Sequence, residues 1–168
     1  MARTVGVDVG GTKMLAVTVD GAGNVTGDRR VPTPDTAEGL IDAYVAVVDH
    51  QRTDGPVDAV GVGAPGLVDR DGVLHAAPNL PGIRHLAIKD LLEERLHLRV
   101  QVDNDATCAA WGERALGAAR GLDEVVLVTL GTGIGGGLIS TGRIQRGANR
   151  FAGEIGHMVV DPSGPPCP

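Results

Sequence analysis

The sequence predicts an α/β protein: one lobe built on a mixed sheet, followed by the beginning of a second, similar lobe. Three observations point there. Along the chain, hydrophobic periodicity switches between two residues and about 3.6. A pattern of strand, Gly/Thr turn, strand, Gly turn and strand opens the chain and returns from Val125. Aromatic residues make up only 2% of the chain, so Val, Leu, Ile and Ala must fill the interior, as in parallel and mixed sheets.

The elements follow in order. Thr4 to Val9 reads as a strand that runs into Gly10-Gly11. Met14 to Val19 is a second strand. Asp20-Gly21-Ala22-Gly23-Asn24 is turn chemistry, Val25 to Val31 a third strand, and Pro32 and Pro34 end this antiparallel meander. Leu40, Ile41, Tyr44, Val45, Val47 and Val48 then recur at helical spacing, with Asp35 or Thr36 as N-cap. Val57 to Val62 is the next strand. Gly63-Ala64-Pro65-Gly66 opens a Gly- and Pro-rich stretch, read as loop as far as Gly82. Ile88, Leu91 and Leu92 mark a short helix and Leu98 to Val102 a strand. Asp103-Asn104-Asp105 caps an Ala-rich helix that ends near Gly117.

From there the opening pattern repeats. Val125 to Leu130 is a strand, Gly131-Thr132-Gly133 a turn, Gly136 to Ile139 a strand, Thr141-Gly142 a turn, and Ile144 marks a third strand. With Gly121 as the boundary, residues 1–120 form the first lobe and 121–168 the start of the second, the two facing each other across a cleft. The outer side of the strand at Val125 is expected to be an unpaired apolar edge.

Composition narrows the function. The net charge is −6 and no basic stripe runs along the chain, which argues against nucleic acid as a partner. Backbone N–H groups can still hold a phosphate on an acidic protein. Two cysteines, Cys108 and Cys167, make no disulfide framework. No apolar run approaches the about 18 residues of a membrane span, and Met1-Ala2-Arg3-Thr4 has no signal-peptide pattern. The expectation is a soluble cytoplasmic protein.

The 26 glycines cluster at a few points, as ligand loops and tight turns do. A hairpin with a Gly/Thr turn can offer N–H groups and a hydroxyl to a phosphate. Asp8 lies close enough to order Mg²⁺-bound water, and Lys13 offers a cation. The plainer alternative is that Gly10 and Gly11 only close a hairpin. Gly131, Gly133 and Gly136 match G-x-G-x-x-G, but that fingerprint needs a helix next. Here a short β-leaning run follows, so a nicotinamide-binding domain fits poorly. Asn104 and Asp105 follow an apolar strand where a helix begins, the position that faces the crevice in open α/β sheets. Asp105 is the candidate base for a hydroxyl proton in phosphoryl transfer. A helix N-terminus would stabilise its anion and weaken it as a base, and a plain N-cap is the competing role. Glu154 and His157, spaced i, i+3, can share one face, and Asn79 sits in the constrained loop Pro78-Asn79-Leu80-Pro81-Gly82.

Taken in order, Asp8-Val9-Gly10-Gly11-Thr12-Lys13, Gly63-Ala64-Pro65-Gly66, Asn79-Leu80-Pro81-Gly82, Asn104-Asp105-Ala106, Leu130-Gly131-Thr132-Gly133-Ile134-Gly135-Gly136-Gly137 and Gly153-Glu154-Ile155-Gly156-His157 resemble the ROK family of sugar kinases and sugar-responsive repressors. The wording of these motifs is most similar to the glucokinase branch. The resemblance runs throughout the chain and implies the N-terminal half of an actin-like (ribonuclease H-like) ATPase fold, in a cytoplasmic enzyme that is often a homodimer. It implies Mg-ATP as phosphate donor and glucose or a related hexose as acceptor; family neighbours act on fructose, N-acetylmannosamine or allose. Gly10, Gly11, Thr12 and Lys13 would form the first phosphate loop, and Gly131, Thr132 and Gly133 the second. Asp105 would be the base, with Asn79, Asn104, Asp105, Glu154 and His157 on the sugar hydroxyls. His157 would also join a cysteine motif beginning at Cys167 around structural zinc, a set left incomplete here. Two readings compete: a sugar-binding fragment without catalysis, and a repressor, whose winged helix-turn-helix finds no room ahead of Asp8.

Overall fold

The computed structural model describes residues 2–131 and 133–164. β1 (Arg3–Val9), β2 (Lys13–Asp20) and β3 (Val25–Pro32) form the expected antiparallel meander, with Val5 opposite Thr18 and Met14 opposite Val31. α1 (Ala37–Arg52) follows. Of its two candidate caps, Thr36 is the one used: its Oγ1 accepts from Gly39 N at 3.2 Å. Leu40, Ile41, Tyr44, Val47, Val48 and Gln51 form the buried stripe. Gln51 is satisfied inside the core, accepting from Thr18 Oγ1 at 3.0 Å and donating to Ala16 O at 3.3 Å.

α1 returns the chain to β4 (Ala59–Ala64), which lies parallel to β1. The stretch expected to be loop instead holds β5 (Leu67–Val68) and β6 (Val73–Ala76), which pair with β7 (Arg84–Ala87) in a small antiparallel sheet. Strands of two and four residues are too short to show a period, so glycine and proline dominate the pattern there. α2 (Ile88–Leu96) leads to β8 (Arg99–Asn104), parallel to β4, and completes a five-stranded sheet ordered β3-β2-β1-β4-β8.

Alternation sorts this sheet into two faces. Val5, Val7, Val9, Val60, Val62, Val100 and Val102 are buried with the α1 and α2 side chains in one core. Gly6, Asp8, Gly61, Gly63, Gln101 and Asp103 lie at the alternate positions, so they point to the opposite face. α3 (Asp105–Leu116) covers β4 and β8 on that side.

β9 (Val125–Leu130), β10 (Ile134–Ser140) and β11 (Arg143–Ile144) form a second antiparallel sheet, ordered β11-β10-β9, and α3 packs against β9 and β10. β10 begins two residues earlier than the pattern implied. Gly135 and Gly137 are strand residues that approach α3: a Cβ on Gly137 would sit 2.5 Å from Ala110 Cβ and 2.8 Å from Ala106 O. Gly136, facing the other way, lies against Gly153 and Ile155. Among the described residues β9 pairs with β10 alone and so lies at the sheet edge, while Val126, Val128 and Leu130 are exposed on one face of the strand.

Candidate functional site

The site starts from one row across the five-stranded sheet. Asp8 on β1, Gly63 on β4 and Asp103 on β8 are register partners at the C-terminal ends of three parallel strands. Gly63 leaves the middle of the row bare. The point where its Cβ would stand is 3.7 Å from Asp8 Oδ1, 3.5 Å from Asp105 Cα and 3.7 Å from Cys108 Cβ. Asp8 and Asp105 are therefore brought together over Gly63. Both border an open recess of about 920 Å³ whose walls include Leu15, Val17, Trp111 and Arg146.

Burial raises the Asp105 carboxyl above its ordinary range. The hydrogen bond from Ala106 N at 2.8 Å opposes this, and the nearby Asp8 charge reinforces it. The helix N-terminus was expected to weaken Asp105 as a base; desolvation outweighs it. Asp8 is raised too, by partial desolvation, although the residue stays open to solvent. Cys108 borders the same recess and is exposed as a residue, but desolvation of its sulfur together with the Asp103 and Asp105 charges pushes its thiol up to about 12, too high for a thiolate nucleophile at neutral pH.

Asn104 has a structural role. Its Oδ1 caps α3 by accepting from Thr107 N at 3.1 Å, while its Nδ2 donates to Gly66 O at 3.1 Å. The Gly10-to-Lys13 turn closes through Gly10 N to Lys13 O at 2.9 Å and is held by Thr33, whose Oγ1 donates to Gly10 O at 2.8 Å and whose N donates to Thr12 O. Gly11, Thr12 and Lys13 are exposed. Asn79 stands directly against this turn, its Cβ 3.0 Å from where a Gly11 Cβ would be.

Glu154 precedes a 3₁₀ turn (Ile155–His157) that His157 ends; both are exposed, with His157 Nε2 3.8 Å from Glu154 Oε2. Gly131 and Gly133 form an exposed turn closed by Gly131 N to Gly133 O. Thr132 and Cys167 lie outside the described residues. The expected site residues thus fall into groups: Asp8 with Asp105 and neighbouring Asn104, the first glycine turn with Asn79, Glu154 with His157, and the second glycine turn. The recess takes in Asp8 and Asp105 but not Asn79, Glu154 or His157.

One residue of the row escaped sequence reasoning. Asp103 is 6% exposed, and its Oδ2 accepts from Arg146 Nε at 2.7 Å and from Arg150 Nη2 at 3.0 Å. The available signal was a third acidic residue continuing the β8 alternation on the ligand face.

A mixed sheet with an antiparallel meander, helix-crossed parallel strands and carboxylates at the strand ends, followed by a second meander beginning beyond α3, is the actin-like ATPase fold of the sugar kinases. The chain belongs to the ROK family, whose model matches residues 4–168. It is 42% identical to a glucokinase of Streptomyces coelicolor over 99% of this chain and 53% of the relative, and 37% identical to an N-acetylmannosamine kinase of Escherichia coli over 98% of this chain and 56% of the relative. It superposes with a TM-score of 0.91, at 46% identity, on a ROK family glucokinase from Streptomyces griseus solved with glucose and AMPPNP, covering 97% of this chain and 52% of that one. The chain spans about half the length of the curated relatives it matches.

Proposed function

We propose that this chain is the N-terminal half of an ATP-dependent hexokinase of glucokinase type, which transfers a phosphoryl group to the 6-hydroxyl of glucose. The observation that carries the reading is the Asp8–Asp105 pair across Gly63, at the edge of the open recess. A base for a hydroxyl proton works best with its affinity raised toward the working pH, and Asp105 is displaced in that direction. Likeness to a glucokinase solved with glucose and AMPPNP supports both acceptor and donor.

In this mechanism Asp105 accepts the hydroxyl proton as the oxygen attacks. Asn79, Asn104, Glu154 and His157 orient the sugar, and Gly10 to Lys13 with Gly131 to Gly133 hold the phosphates. Asp8 suits Mg²⁺, a hard ion that keeps several waters and takes one or two carboxylates; the ion's contribution is to neutralise phosphate charge. Residue roles, the lobe division 1–120 and 121–168, the homodimer and the cytoplasmic location all belong to this proposal. Zinc at His157 and Cys167 belongs to this proposal as well: His157 is exposed to solvent, and Cys167 lies outside the described residues.

The test is a coupled assay of glucose phosphorylation with Mg-ATP on the chain and on Asp105→Ala, beside calorimetric titration of glucose. Turnover that falls by about 10²- to 10⁴-fold in the variant, with unchanged circular dichroism, supports Asp105 as the base. A variant keeping near-wild-type turnover removes it from the mechanism. Sugar binding without turnover in either protein assigns the chain a sugar-holding role, and transfer to the complete enzyme.

A further inference from the structure

We propose that Asp103 is a positioning residue: through Arg146 and Arg150 it clamps the segment leading to Glu154 and His157 onto the strand end that carries Asp105. This rests on the sugar-kinase reading above for its meaning, though not for its geometry.

Asp103 sits in the row that holds Asp8 and Gly63, two residues before Asp105. It is buried, and its hydrogen bonds go to the protein itself. Oδ1 accepts from Asn104 N at 3.0 Å, and Oδ2 takes both arginines. Those arginines come from 43 and 47 residues further on, beyond β11. The segment they belong to is bound again on its other side. Arg70 Nη2 donates to Ala148 O at 3.0 Å, Arg150 Nη1 reaches Asp69 O at 3.4 Å, and Phe151 meets His75 edge-to-face. Ala152 N closes the loop onto Arg146 O at 3.0 Å. Gly153 then lies against Gly136, and Glu154 follows immediately.

The Asp103–Arg150 pair is buried, so disturbing either member leaves the other with an unmatched charge away from water, while Arg146 adds its hydrogen bond from the more exposed side. Arg150 shows how firmly the segment is held: it is a non-glycine residue at φ +65°, with a side chain 13% exposed. The consequence is a fixed distance between two groups that the sequence places about fifty residues apart. The Glu154 turn is tied to the Asp105 strand end by Asp103 on one route and by β10 glycines packed on α3 on the other.

The experiment is amide hydrogen exchange over residues 146–157 in the 168-residue chain and in Asp103→Asn, which keeps the size and removes the charge. The segment should exchange roughly ten- to hundredfold faster in the variant, with β1, β4 and β8 unchanged. Asp103→Glu, which restores an ionised acceptor, should recover most of the protection. If Asp103→Asn fails to fold, Arg150→Lys, which keeps the charge but loses the fork, is read over the same residues. Unchanged exchange in the segment, an equal rise across β1 and β4, or a segment already unprotected in the wild type would each overturn the clamp. Glucose titration of the same proteins separates the two claims. A loosened segment with weakened glucose binding supports both; a loosened segment in a chain that never binds glucose keeps the clamp and ends the sugar reading.

Discussion

Gly137→Ala isolates the contact between α3, which packs on the five-stranded sheet, and β10 of the β11-β10-β9 sheet. The added Cβ would lie 2.5 Å from Ala110 Cβ and 2.8 Å from the Ala106 carbonyl oxygen. Carbons pack at about 3.5–4.0 Å, so β10 and α3 would have to part by about 1 Å. Overpacking of that kind costs about 1–3 kcal/mol. Gly137 is not in the left-handed region, so alanine also recovers about 0.4–1 kcal/mol by restricting the unfolded chain. Because the Ala106 oxygen is backbone and cannot step aside, the upper part of that cost applies, about 2–3 kcal/mol, and the net loss is about 1–2.6 kcal/mol, a fall in Tm of roughly 2–10 °C for a chain of this size. Gly112, on α3 itself, is the internal control: nothing lies within 4 Å of its Cβ position, so Gly112→Ala should gain about 1 kcal/mol of helix propensity. Thermal melts and urea unfolding followed by circular dichroism read both variants. A Gly137→Ala protein as stable as wild type, with Gly112→Ala behaving as expected, would refute the claim that bare backbone is needed between strand and helix.

The folded state holds the Asp105 proton more tightly than the unfolded state, so this group's contribution is present at low pH and lost as pH rises through its raised pKa. Asp105→Asn should therefore raise Tm at pH 7, with the gain closing below about pH 4; a lower Tm at pH 7 would mean the carboxylate is stabilised after all. The Tyr44 hydroxyl is buried without a hydrogen-bond partner, so Tyr44→Phe should be neutral or stabilising by about 1 kcal/mol in urea unfolding, and a clear loss would reveal a hidden partner. Val128 is 51% exposed on the free strand, so Val128→Lys should change stability by less than about 0.5 kcal/mol while lowering light scattering from self-association; unchanged scattering would clear this edge.

What was legible in the sequence follows from which signals are local. β1 could be read because Val5, Val7 and Val9 alternate against a single core, and α1 because its stripe runs four turns from a threonine cap. β10 was read short because glycine carries no hydrophobic signal, although three glycines in a row are what its packing demands. β5 and β6, of two and four residues, are too short for a repeating pattern to show. At the site, Asp105 was visible from its place between strand and helix. Asp103, two residues earlier, looked like more of the same cap, because the arginines that give it a role are distant in sequence and no spacing announces them.

The glycine run in β10 also has a genetic consequence. Every glycine codon begins with two guanines, and any single base change that alters the residue yields a larger one. At most positions of a protein some point mutation is conservative; where a strand is pressed between a helix and a turn with no side chains of its own, none is. Alanine scanning changes meaning there too. Elsewhere it removes atoms and asks what they contributed; along Gly135 to Gly137 it adds them and asks what the space was for.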